Sequence, residues 1–269
     1  MLVIASNLTT RDANVNYLFR QAKKAAWGLN DPPARSLGEL ALRCSAAAGG
    51  IEINLQQHYG QPEAMAFAVK AIQKATDVQL CLSANDVETL EAGLRVCKHP
   101  PIVNYVSFDG ERSSELLPLA AKYKATVVLM VSNAAAPTDA REMLQKTAIL
   151  IGAANEAGIP SDHILVDPGL IHLSSDVGQR HLLEVVEFLR NLPDATDPPA
   201  SSTCWLGNIS VGTPRRLRPD IESALLPFLA GAGLSSVFMD VLRRDNLRAL
   251  RLVQMFSNTR VYADTEVEL

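Results

Sequence analysis

Short apolar runs of strand length alternate along this chain with longer segments in which apolar residues recur at helical period, the pattern of parallel β/α units. The runs that read as strands are Leu2 to Asn7, Ile51 to Leu55, Val78 to Leu82, Ile102 to Val106, Thr126 to Val131, Ile164 to Val166, Thr203 to Leu206 and Ser236 to Met239. Helical segments are predicted at Asn14 to Ala26 with Asn14 as N-cap, at Leu37 to Ala48 and at Pro62 to Ala75. A further helix runs to Cys97, with Asn85 and Glu88 in a capping arrangement. Another runs from about Arg112 to Tyr123, and a long one starts at Thr138 and stops at Gly158-Ile159-Pro160. Pro193 to Ser202, rich in Asp, Pro and Ser, reads as a surface connection. About eight β/α units in a chain of 269 residues predict an α/β fold, a single (β/α)8 TIM barrel spanning 1–269 as one domain. In such a barrel the site lies at the C-terminal ends of the strands.

Composition narrows the partners. Hydrophobic residues make up 48% of the chain, enough for a large core, and no Pro-, Gly-, Ser- or charge-rich run marks a linker. The net charge of −4 is spread without a basic block, which argues against nucleic acid and against an anionic membrane surface. Cys44, Cys81, Cys97 and Cys204 form no CxxC pair and no Cys/His metal spacing, so buried thiols and no metal are expected. With no secretory-type segment at the start of the sequence, a reduced cytoplasmic location is expected.

The polar residues at the predicted strand ends then become one constellation: Glu52 and Asn54, Ser83, Asn104, Asp167, Asn208 and Asp240. It is a ring of hydrogen-bonding groups without a lysine or histidine, which weakens Schiff-base and zinc-hydrolase readings. His58, His99, His163, His172 and His181 are scattered and read as surface or loop residues. Asp167 at a barrel mouth can accept two parallel N–H bonds from a guanidine-like edge such as an aminopyrimidinone ring. In the stretch Cys204 to Arg216, Gly207 and Gly212 allow a ligand to approach the backbone, Ser210 offers a hydroxyl, and Asn208 offers a neutral amide. The competing reading is a turn in which Asn208 and Ser210 cap the next helix.

Several motifs in register carry a resemblance over nearly the whole chain: Leu80-Cys81-Leu82, Leu90-Glu91-Ala92-Gly93-Leu94, Val103-Asn104, Leu116-Leu117-Pro118-Leu119-Ala120, Ala157-Gly158-Ile159-Pro160, Leu165-Val166-Asp167-Pro168 and Gly207-Asn208-Ile209-Ser210-Val211-Gly212-Thr213-Pro214-Arg215. Together they resemble the methyltetrahydrofolate:corrinoid methyltransferases, which share a pterin-binding barrel with the dihydropteroate synthases. The resemblance implies a homodimer that binds methyltetrahydrofolate and passes its N5 methyl group to the cobalt of a corrinoid (cobalamin) carried by a partner protein. It further implies that Asn104 and Asp167 hold the pterin ring, that Asn208 is the catalytic contact to N5, and that Glu52 and Asn54 occupy the family's Asp-x-Asn position. Two places depart from the pattern: Ser83 stands where the family has a pterin-binding aspartate, and Ser6-Asn7-Leu8-Thr9-Thr10-Arg11 replaces a Glu-Arg-Ile-Asn type of start. A non-catalytic barrel that binds a corrinoid protein therefore stays open, as does dihydropteroate synthase. The latter would need a site lysine and a basic cluster, for which only Arg215, Arg216 and Arg218 are at hand.

Overall fold

A computed structural model describes residues 1–55, 61–108, 113–131 and 139–268. The strands are β1 (Leu2–Thr9), β2 (Gly50–Asn54), β3 (Gln79–Ser83), β4 (Ile102–Ser107), β5 (Thr126–Met130), β6 (Ile164–Asp167), β7 (Ser201–Ser202) and β8 (Ser236–Met239). They pair in parallel in the order β7-β6-β5-β4-β3-β2-β1-β8. The two outer strands of that order meet, since Trp205 bridges to Phe238 and Phe238 N donates to Cys204 O at 2.8 Å, so the sheet closes on itself as a (β/α)8 barrel. The seventh strand is the one the apolar run misplaced. Its regular pairing with β6 is at Ser201 and Ser202, earlier than the expected Thr203 to Leu206; Thr203 N still donates to Val166 O at 2.9 Å, and beyond the Trp205 bridge Leu206–Ser210 winds into a 3-10 turn.

The helices are α1 (Ala13–Lys24), α2 (Pro32–Ser45), α3 (Pro62–Gln73), α4 (Val87–Leu94), α5 (Ser113–Lys122), α6 (Ala140–Glu156), α7 (Gly178–Ala195), α8 (Arg218–Gly231), α9 (Arg244–Phe256) and α10 (Asp264–Val267). Two caps differ from the sequence reading. Asp12, not Asn14, caps α1, accepting from the amides of Asn14 and Val15, and Asp86, not Asn85, caps α4 through Thr89 N. In both places the carboxylate is the better acceptor for amides at the positive end of a helix. Pro193 belongs to the last turns of α7, so only the stretch beyond Ala195 is a connection. The starts expected at Arg112 and Thr138 lie outside the described residues, and Asp139 caps α6 through Glu142 N. His181 is buried rather than superficial, and Cys97 is only partly buried, while Cys44, Cys81 and Cys204 are fully so.

Strand alternation divides the core into two parts. Outward-facing Ile51, Ile53, Leu82, Val127 and Val166 join the apolar faces of the helices, and inward-facing Ile4, Cys81, Ile102, Val128, Leu165 and Phe238 form a separate plug inside the barrel. Two residues beyond the plug positions of β3, β4, β5, β6 and β8, toward the C-terminal ends of the strands, stand Ser83, Asn104, Met130, Asp167 and Asp240. The register aligns Asn54 with Ser83 and Ser83 with Asn104, so three polar residues stand side by side on β2, β3 and β4. The apolar plug is therefore roofed by a polar layer at the mouth.

Candidate active site

Beneath that layer Glu52, level with Cys81 of the plug, is the common acceptor. Ser83 Oγ donates to its Oε1 at 2.7 Å, Asn54 Nδ2 at 2.9 Å and Asn104 Nδ2 at 3.4 Å, while Asn104 Nδ2 also reaches Ser83 Oγ at 2.7 Å. All these bonds fall on one oxygen, and no described residue bonds to Oε2. Burial pushes the Glu52 carboxyl up to about 7, against the opposing pull of its three donors and of the Arg11 guanidinium. Asn104 Oδ1 is buried with no partner among the described residues. An acceptor in that state is unfavourable unless something else supplies a donor.

Asp167 is built in a similar way on the other side of β5, whose Met130 aligns with it. Its Oδ1 accepts from Gly169 N at 2.8 Å through the Pro168 turn, and no described residue bonds to Oδ2. Burial raises this carboxyl to about 7 as well, with the Gly169 bond opposing. Cys81 and Cys204 lie beside Glu52 and Asp167, and burial first and the neighbouring carboxylate second hold both thiols protonated. Buried thiols of this kind are inert packing.

The third part of the site is the 3-10 turn Leu206–Ser210. Gly207 and Asn208 are exposed; Asn208 N donates to Trp205 O at 3.1 Å, and its side-chain amide makes no hydrogen bond to a described residue. A Cβ at Gly207 would meet nothing within 4 Å, so the chain itself does not require glycine there. Gly212 is different: its φ is +78° and a Cβ would stand 2.4 Å from Ser174 Oγ, so the turn itself demands glycine. Ser210 is buried and donates to Glu222 Oε1 at 2.6 Å, which makes it an anchor of the turn rather than an open ligand contact. Neither Asn208 nor Ser210 caps α8, which begins after a second 3-10 turn, Arg215–Leu217. The strand ends thus unite Glu52, Asn54, Ser83 and Asn104 in one bonded cluster, set Asp167 across β5 from it, and leave Asn208 on an outlying turn.

Sequence reading did not single out Glu222. This buried residue of α8 also accepts from Arg243 Nη1 at 2.9 Å and Asn246 Nδ2 at 3.4 Å, and Arg243 pairs with Asp240 at 3.3 Å. Asp240, just past the C-terminal end of β8, accepts from Asn7 Nδ2 at 2.5 Å and from Leu242 N at 3.0 Å, so it ties β8 to β1. A lone glutamate inside a helical pattern gives no sign of burial, because the signal lies in partners from other elements.

Comparison with known proteins fits this mouth of acceptors. A family model described as pterin binding enzyme matches residues 61–214, more than half of the chain. The chain belongs to the pterin-binding enzyme family. A methylcorrinoid:tetrahydrofolate methyltransferase of Eubacterium limosum is 26% identical over 211 residues, covering 77% of this chain and 72% of that protein. Among solved structures, a Yersinia pestis dihydropteroate synthase with a bound pterine-sulfa conjugate superposes with a TM-score of 0.69, and a dihydropteroate synthetase with product superposes at 0.68. Both are 17% identical, covering 96% of this chain and 94% of theirs. At that identity they speak for the barrel alone. Within this pterin-binding enzyme no helix among the described residues is long and apolar enough to cross a membrane, and no cluster of three or more His, Cys, Asp or Glu among them could hold a metal ion.

Proposed function

We propose that the protein transfers a methyl group between N5 of a tetrahydropterin, methyltetrahydrofolate in the first instance, and the cobalt of a corrinoid held by a partner protein. The observation that carries the proposal is the pair of carboxylates, Glu52 and Asp167, each with one oxygen fixed by the protein, together with Asn104 Oδ1; among the described residues nothing donates to the second oxygen of either carboxylate or to that amide oxygen. Three acceptors without donors suit a ring edge made of N–H groups, and an aminopyrimidinone supplies such an edge. Both carboxyls sit near neutrality before binding, and ring N–H donors favour their ionised forms.

The corrinoid partner supplies the Co(I) nucleophile or, in the reverse direction named for the Eubacterium limosum relative, the methyl donor. Everything else falls to this chain. A ring amine is a poor leaving group, so the transition state gains from a hydrogen bond to N5 that strengthens as charge develops there. Asn208 is the residue for that contact, on an exposed turn and with its side-chain amide not engaged elsewhere among the described residues. The proposal extends to a cytoplasmic homodimer, for which Ile149 on α6 and Leu183 on α7, 60% and 65% exposed, offer an apolar face.

Methyltetrahydrofolate titrated by fluorescence should bind, and single-turnover mixing with a Co(I) corrinoid should move the methyl. Asn208→Ala should lower that rate by about 10² to 10³ while changing affinity far less. A normal rate in the variant removes Asn208 from the chemistry. Binding without transfer by the wild type favours the non-catalytic barrel, and tight binding of a pterin diphosphate favours the synthase.

A further inference from the structure

Among the buried titratable side chains that the chemistry above leaves unused is a histidine. His181 stands in the first turn of α7, and its Nε2 lies 2.7 Å from Gly169 O. A carbonyl oxygen only accepts, so Nε2 carries the proton and donates. Nδ1 is buried and has no partner among the described residues, so the ring is held by this one bond. Gly169 is the residue whose amide donates to Asp167 Oδ1 at 2.8 Å, and its φ of +74° is one that a side chain would oppose. The same residue is thus gripped at its carbonyl by His181 and grips Asp167 with its N–H. The helix that brings the histidine is itself pressed onto the loop, since a Cβ on Gly178 would stand 2.1 Å from His172 O.

We propose that His181 is a positioning residue for Asp167: by clamping Gly169 it fixes which carboxylate oxygen is tied to the turn and which stays available to a ligand. The inference rests on the reading of Asp167 as the pterin anchor. A histidine whose only role was to fill space would use its ring volume, not its N–H, and that difference can be measured.

The test uses the full chain, labelled with ¹⁵N, as wild type, His181→Phe, His181→Gln, Asp167→Asn and the His181→Phe/Asp167→Asn double variant. Phenylalanine keeps the ring and loses the donor, glutamine places an amide N–H near Nε2, and His181→Leu is a second knockout should phenylalanine prevent folding. At pH 8 the Gly169 amide proton of the wild type should lie downfield, as in a charge-assisted bond. In His181→Phe it should move to where Asp167→Asn puts it, and His181→Gln should restore it. Methyltetrahydrofolate affinity should fall about tenfold in His181→Phe, as when a partner one layer behind a ligand-holding group is lost. It should recover in His181→Gln and fall no further in the double variant than in Asp167→Asn alone. A folded donor-less variant with wild-type amide shift and affinity overturns the proposal, as does a loss that adds fully to Asp167→Asn. If the wild type binds no pterin while the amide shift still follows the ring, the pterin reading fails and the positioning role stands.

Discussion

At the scale of single residues the site is an arrangement of half-satisfied carboxylates, and Asp167 shows what that costs. The carboxamide introduced by Asp167→Asn could still accept from Gly169 N but would bury no charge. We expect the variant to bind methyltetrahydrofolate about 1.5–3 kcal/mol more weakly, the worth of a charge-assisted bond. Its stability should change in the other sense. A carboxyl raised to about 7 in the fold binds a proton more readily there than in the unfolded chain, so the ligand-free protein gains stability as pH falls through 7 toward the ordinary carboxylate range and loses it on the way up. Asp167→Asn should therefore melt no lower than the wild type at pH 8, and calorimetry should show the comparison turn against the variant at pH 5. A lower melting point at pH 8 would make Asp167 chiefly a turn cap. At Ser83, where the family has an aspartate, the neighbour matters: Ser83 Oγ lies 2.7 Å from Glu52 Oε1, so an aspartate there would face a second carboxylate. Ser83→Asp alone should bind more weakly than the wild type, and adding Glu52→Gln should recover the affinity in the same titration. Asp167 was legible because Asp-Pro-Gly ends a strand; the role of Glu52 was not, since its three donors come from two other strands and from two residues along its own.

At the scale of elements, the turn Leu206–Ser210 depends on a helix that follows it. Ser210 hangs on Glu222 of α8, Glu222 holds Arg243 just before α9, and Leu173 N donates to Ile209 O at 3.0 Å from the loop after β6. Removing the carboxylate with Glu222→Ala leaves the Ser210 hydroxyl and the Asn246 amide underbonded, which should lower stability by about 1–3 kcal/mol. The loosened turn also carries Asn208, so methyl transfer should slow more than binding weakens, because the Glu52 and Asp167 contacts are untouched. Equal losses in rate and affinity, read from single turnovers and titration, would contradict this. The strand and helix sequence was legible because buried parallel strands are continuous apolar runs and the helices keep their period. The caps were ambiguous because Asp12 and Asn14, or Asn85 and Asp86, are both good N-caps by type, and only the path of the chain chooses.

At the scale of the whole molecule, the barrel is closed by a seam that apolar periodicity could not reveal. Between β7 and β8 the hydroxyls of Ser202 and Ser235 exchange bonds: Ser202 N donates to Ser235 Oγ at 2.7 Å, Ser235 N donates to Ser202 Oγ at 3.1 Å, and Ser235 Oγ donates to Ser202 O at 2.9 Å. Ser236 Oγ adds a bond to Ser202 O at 2.8 Å, and the rings of Trp205 and Phe238 stack with centroids 3.8 Å apart just above. Ser201-Ser202 reads as loop by composition; its strand character comes from pairing with Leu165 and Val166 of β6, and its seam bonds come from hydroxyls 33 and 34 residues later. If the seam closes the barrel, Ser235→Ala strips the buried Ser202 N–H of its acceptor at a cost of about 1–3 kcal/mol. For a domain of this size that is a drop of roughly 2–4 °C in melting temperature per kcal/mol. The pterin acceptors stand at the other end of their strands and on β2, β4 and β6, so the folded variant should bind methyltetrahydrofolate as the wild type does. Hydrogen exchange should quicken first in β7 and β8 while the amides of β2 to β4 keep their protection. An unchanged melting temperature would mean that water replaces the hydroxyl and that the Trp205–Phe238 stack closes the barrel, in which case Trp205→Ala should open the same two strands instead.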